Sequence, residues 1–262
     1  MQRPDTWSAC AALYASGAAS FSAPFAEEAL RRVSLARPDS VLDVAAGPGT
    51  LAMLAAPNAA RVLATDFSHG MIDQLRLRAG REGAGNVEGA VMDAQALALR
   101  AGSFDAAFCM FGFMFIPDRA RAFREMLRVL RPDGRALVAT WGPIDRRPMM
   151  KVGFDAMAET FPDLPRPAKG DLQEPAECVR EMKEAGFRDV EARVFASTVR
   201  VESAEHYLKV LGGCAPLQAI RIAMGDKAWA VAETRLIEAV RARLAQAPAD
   251  LGAEAVLTVG TR

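Results

Sequence analysis

Apolar positions along this chain change period several times, and each change marks an element. Trp7, Cys10, Ala11, Tyr14 and Ala18 recur at helical spacing, and Phe25, Ala29 and Val33 do so again, with Pro24 near the expected helix start. After Pro38-Asp39 the period shortens. Apolar runs at 41–45, 61–65, 87–91, 104–110 and 135–141 predict strands, and helical patterns at 50–56, 69–79 and 118–130 fit between them. The last helix has the cleanest pattern: Phe123, Leu127 and Leu130 line one face, and Arg121, Arg124, Glu125 and Arg128 form the wet one. Arg131-Pro132-Asp133-Gly134 reads as the turn that stops it and starts the next strand.

Strand–helix alternation implies an α/β fold with a doubly wound, Rossmann-like, mostly parallel sheet and right-handed crossovers. The alternation stops after Gly142. Pro143, Pro148, Pro162, Pro165 and Pro167 punctuate the segment to Gly170, with one helical stretch around 149–160. Glu174-Pro175 opens another helix, ended by Gly186 as a left-handed cap. Residues 187–196 read as a strand, 203–223 and 226–244 as helices, and 255–259 as a final short strand. The expected sheet has seven strands, the last one antiparallel. The expected organisation is a single domain over 1–262: an N-terminal helical lid (1–38), a cofactor-binding core (39–142), and the remaining strands with substrate-cover inserts near 143–170 and 200–245.

Composition narrows the function classes. Lys+Arg and Asp+Glu balance at 32 each, so no basic surplus points to nucleic acid. Cys10, Cys109, Cys178 and Cys214 are scattered, and only His69 and His206 accompany them, so no metal site is expected. The N-terminal residues lack a basic-then-apolar leader, and no apolar run reaches the ~20 residues of a membrane span. The expectation is a cytoplasmic protein without membrane insertion, a monomer or homodimer, acting on a small molecule.

The candidate chemistry sits where strand ends converge. Val41-Leu42-Asp43-Val44-Ala45-Ala46-Gly47-Pro48-Gly49-Thr50 carries a strand through a glycine turn into a helix, and the missing side chains let a nucleotide-like ligand lie on the backbone. Asp66, ending the second strand, is suited to the two hydroxyls of a ribose, because a carboxylate accepts two hydrogen bonds side by side. Asp93, after the third strand, can reach an adenine edge. Cys109-Met110 begin an apolar stretch, running to Phe115, that leaves the fourth.

Two cofactors fit this constellation. Gly47-Pro48-Gly49-Thr50-Leu51-Ala52 satisfies the dinucleotide fingerprint, which would make the chain an NAD-linked oxidoreductase. Against that, two helices precede the turn and no proton donor stands out. The residues also carry a resemblance. Val41–Gly49 resembles motif I of the class I S-adenosylmethionine-dependent methyltransferases, and Asp66-Phe67-Ser68-His69-Gly70-Met71 is similar to their D-x-S-x-x-M motif. Asp93-Ala94, Phe104–Phe108 and Arg128–Arg135 resemble three further motifs of the group typified by the ubiquinone/menaquinone C-methyltransferases.

The resemblance covers roughly 36–142 and implies S-adenosylmethionine as cofactor. Asp43, Ala45, Gly47 and Gly49 would hold its amino-acid end, Asp66 its ribose, Phe67 and Met71 its adenine face, Asp93 and Ala94 the adenine edge, with Cys109 and Met110 alongside. Tyr14 either closes over the methionine end or is a half-buried helix residue. A cofactor-binding protein of the same fold without transferase activity is a further alternative.

Because a sulfonium methyl is already electrophilic, positioning carries much of the rate and no fixed triad is needed. The Asp/Asn/Ser-Pro-Pro-aromatic motif of amino-methylating nucleic-acid enzymes is absent after the fourth strand, and no Pro-Cys pair offers a thiol nucleophile. Phe111, Phe113, Met114, Phe115, Met149 and Met150 either wall an apolar pocket or are ordinary core. His206 with Tyr207 is the candidate general base, or else a surface helix pair. Asp145 and Arg146 could meet a polar substrate group, and His69 reads as a solvated helix-start residue.

Overall fold

The computed structural model describes residues 3–36, 39–163, 172–211 and 214–262. Among them seven strands form one sheet: β1 (Ser40–Val44), β2 (Arg61–Asp66), β3 (Val87–Val91), β4 (Phe104–Met110), β5 (Leu130–Trp141), β6 (Arg188–Val201) and β7 (Ala249–Thr261). Their order is β3-β2-β1-β4-β5-β7-β6. The run from β3 to β5 is parallel, and β7 is antiparallel to both of its neighbours. The helices are α1 (Pro4–Ser16), α2 (Ala18–Val33), α3 (Thr50–Ala55), α4 (His69–Glu82), α5 (Arg119–Val129), α6 (Pro148–Thr160), α7 (Pro175–Glu184), α8 (Ala204–Leu211), α9 (Ala215–Met224) and α10 (Asp226–Arg243). This is the expected α/β sheet of seven strands, mostly parallel, with the last strand reversed.

Strand side chains divide between two apolar layers, as a pleat with period two requires. Val41, Ala106, Phe108, Leu137 and Ala139 join one cluster with α2, α3 and the helical cover. Leu42, Val44, Ala107, Cys109, Ala136 and Val138 join the other, under α5 and α7. Parallel strands buried on both faces read as continuous apolar runs, which is why these were legible.

Several boundaries differ from expectation, each for a physical reason. Pro24 lies inside α2 rather than at its start, and α2 begins after Gly17, where a Cβ would stand 2.6 Å from the Lys209 carbonyl oxygen. The Arg131–Gly134 segment is not a free turn. It belongs to β5, with Asp133 at φ 62 and a register shift opposite Phe104 and Ala106. Glu125 and Arg128 are not simply wet: Glu125 takes the Leu97 N–H, and Arg128 donates to the Leu97 and Leu99 carbonyls. One helix was expected over 203–223, and two are found, with Cys214 in extended conformation ahead of α9. β6 and β7 run longer than the apolar runs at 187–196 and 255–259, because they pair with each other along most of their length. Gly186, at φ 105, follows α7 as expected. Pro38, Pro165, Pro167 and Gly170, used in the sequence reading, lie outside the described residues.

The N-terminal helices do different work. In α2, Phe21, Phe25, Ala26, Ala29 and Val33 are buried in the main apolar cluster, so this helix is a core element. The cover over the sheet's carboxyl edge comes from α1, which packs on α4.

Candidate cofactor-binding site

The site is built by β1, β2 and β4 as they end together. β1 leaves its strand conformation at Ala45 (φ 53), passes Gly47 (φ 55) and enters α3 from Gly49 (φ 81). Left-handed backbone at Gly47 and Gly49 costs little, because neither carries a Cβ. At Gly47 the space above the backbone is open, with the nearest atom the Cε1 of Tyr14, 4.0 Å from where a Cβ would sit. At Gly49 a Cβ would stand 2.9 Å from the Leu75 side chain, so that glycine is needed for packing as well.

Two carboxylates brace this turn. Asp66 Oδ2 accepts the Gly47 N–H at 2.9 Å and its Oδ1 accepts the Ser68 N–H at 2.9 Å. Burial raises the Asp66 pKa, and the backbone N–H groups of Ser68, Gly47 and Phe67 oppose that rise. Asp43 is 1% exposed; its Oδ2 accepts the Ala52 N–H at 3.1 Å, and its Oδ1 has no partner among the described residues. Burial, only partly offset by the Ala52 N–H, pushes its pKa up to about 8. Burial first, and Asp43 after it, raises the Cys109 thiol as well.

A consequence follows for pH. The unfolded carboxyl titrates near 3.8, whereas the folded one holds its proton up to about 8. Its contribution to stability is complete below the unfolded value and is lost as pH rises toward the folded one. Ligand-free thermal midpoints are therefore expected to fall between about pH 4 and 8 through this group in the wild type, and to fall less in Asp43→Asn. Equal slopes in the two proteins would remove Asp43 as the cause.

The remaining candidate residues surround the turn unevenly. Met71 is buried with Cys10 and Ala11, against Trp7 and Tyr14. Its N–H caps α4 on the Ser68 hydroxyl at 3.2 Å. Phe67 is half-buried and His69 is the exposed first residue of α4. Asp93 is exposed; its Oδ1 accepts the Gln95 N–H at 2.8 Å, so it shapes the loop after β3, and Ala94 beside it is buried. Cys109 is buried, and Met110 half-buried, at the end of β4. Burial, and then Cys214, Asp66 and Cys10, push Tyr14 up to about 12, which keeps its hydroxyl a neutral donor. A Cβ on Gly112 would stand 2.5 Å from the Ala45 Cβ, so the β4 exit lies directly against the turn.

Comparison with known proteins bears on the family and the fold. A methyltransferase-domain family matches residues 41–134. The demethylmenaquinone methyltransferase of Thermobifida fusca is 36% identical over 135 residues, 48% of this chain and 56% of that protein. The ubiquinone/menaquinone biosynthesis C-methyltransferase UbiE of Methylobacterium nodulans is 31% identical over 185 residues, 64% of this chain and 73% of that protein. The chain belongs to the class I S-adenosylmethionine-dependent methyltransferases. Its match spans about half the length of the first of these relatives. In fold it is similar to the YcgJ protein of Bacillus subtilis, at TM-score 0.60 and 18% identity over 90% of this chain and 97% of that one.

Within this methyltransferase, the pair expected to supply a base does something else. Tyr207 is 1% exposed and its hydroxyl donates to the Met149 carbonyl at 2.6 Å. Burial raises its pKa, the opposite of what a base needs. His206 Nδ1 accepts the Glu202 N–H at 3.1 Å, closing the first turn of α8. Both contacts are structural in character. Asp145 and Arg146 are exposed, with Arg146 3.6 Å from Glu254.

Sequence reasoning missed four contributors. Ser8 bonds the Ser68 hydroxyl at 2.9 Å and accepts the Gly70 N–H at 3.2 Å, which docks α1 on α4. Gly70 permits that approach: a Cβ there would meet the Ser8 Cα at 2.7 Å. Trp7 reaches Phe115 edge-on at 5.2 Å between ring centres, linking α1 to the β4 exit. Arg147, not Arg146, is the buried cation after β5. Only Gly70, within the D-x-S-x-x-M segment, offered any signal for this.

Proposed function

We propose that this chain transfers a methyl group from S-adenosylmethionine to a small, partly apolar acceptor at the carboxyl ends of β1, β2 and β4. The observation that carries the reading is the unpartnered Asp43 Oδ1, buried beneath a glycine turn whose outer face is open at Gly47. A buried carboxylate oxygen without a partner fits a cationic ligand, and the bare backbone fits one that lies close. The reversed β7 favours this over the NAD-linked alternative, whose doubly wound sheet has the order 3-2-1-4-5-6.

Asp43 and the turn from Ala45 to Gly49 would hold the amino-acid end, and Asp66 the ribose hydroxyls. Phe67, Met71, Asp93 and Ala94 would border the adenine, with Cys109 and Met110 beside it. Tyr14, carried by α1, is the side chain nearest the turn at Gly47, with Trp7 edge-on against its ring. When bound, S-adenosylmethionine supplies its methyl on a sulfonium, an electrophile that needs no further activation. The chain's own task is then to fix the acceptor in line and exclude solvent, which is where most of the rate is gained. Phe111 and Trp141, stacked at 3.7 Å, form an apolar wall suited to such an acceptor, as do Met110, Met114 and Met150 packed against the same cluster. The relatives named for demethylmenaquinone and ubiquinone/menaquinone support an apolar ring as one class of acceptor to try.

Titration calorimetry with S-adenosylmethionine, S-adenosylhomocysteine and NAD(H) tests the reading. Binding of both sulfur cofactors is expected, with S-adenosylhomocysteine released once an acceptor is present. Binding of NAD(H) alone would overturn it.

A further inference from the structure

Several partly buried arginines of this protein are paired with carboxylates. Arg32 sits 2.7 Å from Glu28, Arg119 2.8 Å from Glu181, and Arg128 2.7 Å from Glu125. Arg147 breaks that pattern. It is 8% exposed, makes no ion pair among the described residues, and its Nε is buried without a hydrogen-bond partner. Its one side-chain hydrogen bond among the described residues is from Nη1 to the Met150 sulfur at 3.1 Å, a weak acceptor. Its pKa falls only to about 10, with burial as the cause, so the guanidinium stays charged at neutral pH.

Placement makes the cation stranger still. Arg147 caps the N-terminus of α6, where the helix dipole is positive and a cation is disfavoured. An anion would be favoured there by both the helix and the guanidinium. The residue follows β5 on the sheet's carboxyl side. Trp141, at the end of β5, stacks on Phe111, and Phe111 adjoins Gly112, which lies against Ala45 of the cofactor turn. Met149 and Met150, in the first turn of α6, pack into the apolar cluster that holds that wall.

We propose that Arg147 receives a carboxylate carried by the apolar methyl acceptor. This rests on the methyl-transfer reading for what the wall of Phe111 and Trp141 holds. A monoanion matches a single cation with no second one beside it: Arg146 turns to Glu254 and Lys151 to Asp155. The planar guanidinium fork matches the two oxygens of a carboxylate. A doubly charged phosphate would leave one charge uncompensated in an apolar surround.

Calorimetric titration of 2-naphthoate and 3-phenylpropanoate, against their primary amides, tests this with and without saturating S-adenosylhomocysteine. In the wild type at least one acid is expected to bind about tenfold or more tightly than its amide. Arg147→Met should abolish the preference, and Arg147→Lys should keep part of it. S-adenosylhomocysteine affinity, measured in the same variants, should stay within about twofold and reports that they are folded. Equal binding of acid and amide by the wild type, an undiminished preference in Arg147→Met, or no binding of either acid at millimolar concentration would each overturn the proposal. Loss of S-adenosylhomocysteine binding by the wild type would instead sink the methyl-transfer reading, and the acid–amide comparison without it would still report on Arg147.

Discussion

Asp66→Ala is expected to lower the affinity for S-adenosylhomocysteine by about 3 kcal/mol, on the order of a hundredfold. The carboxylate has two functions that fail together. Toward the protein it holds the Gly47 and Ser68 N–H groups, one on each oxygen, and so joins the β1 turn to the start of α4. Toward the ligand it would take the ribose hydroxyls. Charge-assisted hydrogen bonds of this kind contribute roughly 1.5–3 kcal/mol each. Alanine also leaves two N–H groups in a site where Asp66 is only 6% exposed. Asp66→Asn should fall between, since an amide has one oxygen to accept and turns two donors on the other N–H. Calorimetry of the three proteins decides it, and an affinity unchanged by alanine would contradict the assigned role.

Phe25→Ala should cost about 3–5 kcal/mol of folding stability, a thermal midpoint lower by roughly 10 °C. Phe25 has no exposed surface. Its ring meets Phe111, Trp141 and Phe195 edge-on, at 5.6, 5.2 and 5.6 Å between centres. Those three rings come from the β4 exit, β5 and β6, so one side chain of α2 ties three parts of the sheet together. Edge-to-face pairs add to the burial of the ring itself. Phe25→Leu keeps most of the volume and should cost clearly less. Thermal and urea unfolding measure both; a loss under about 1 kcal/mol for alanine would mean that α2 detaches as a movable cover rather than packing as core.

That contrast shows what the chain's residues reveal by themselves and what they do not. The sheet was readable because buried parallel strands are uniformly apolar and their ends carry Asp43, Asp66 and the two glycines at spacings set by the strand–helix unit. The helical cover was less so. Periodicity in Phe25, Ala29 and Val33 shows that a face is buried, without saying whether it faces the sheet or a ligand. Tyr207 looked like a site residue because a Tyr beside a His is chemically suggestive; its hydroxyl is taken by Met149 from another helix, a contact between residues distant in sequence. Ser8 and Gly70 escaped notice for the same reason, as a close approach of two helices depends on an absent side chain. Arg147 was hidden among neighbours of like charge: Arg146-Arg147 gives no hint which one turns inward.

The position of β7 bears on the order in which this protein can assemble. β7 is the last strand in chain order, yet it lies between β5 and β6. While the chain is being synthesised, β6 emerges with no strand to pair with, and α8, α9 and α10 follow before its partner appears. The parallel strands β1 to β5 can associate meanwhile, but β5 keeps an open edge. Nascent chains halted before residue 249 therefore present two unsatisfied strand borders, a state that favours chaperone capture and intermolecular pairing.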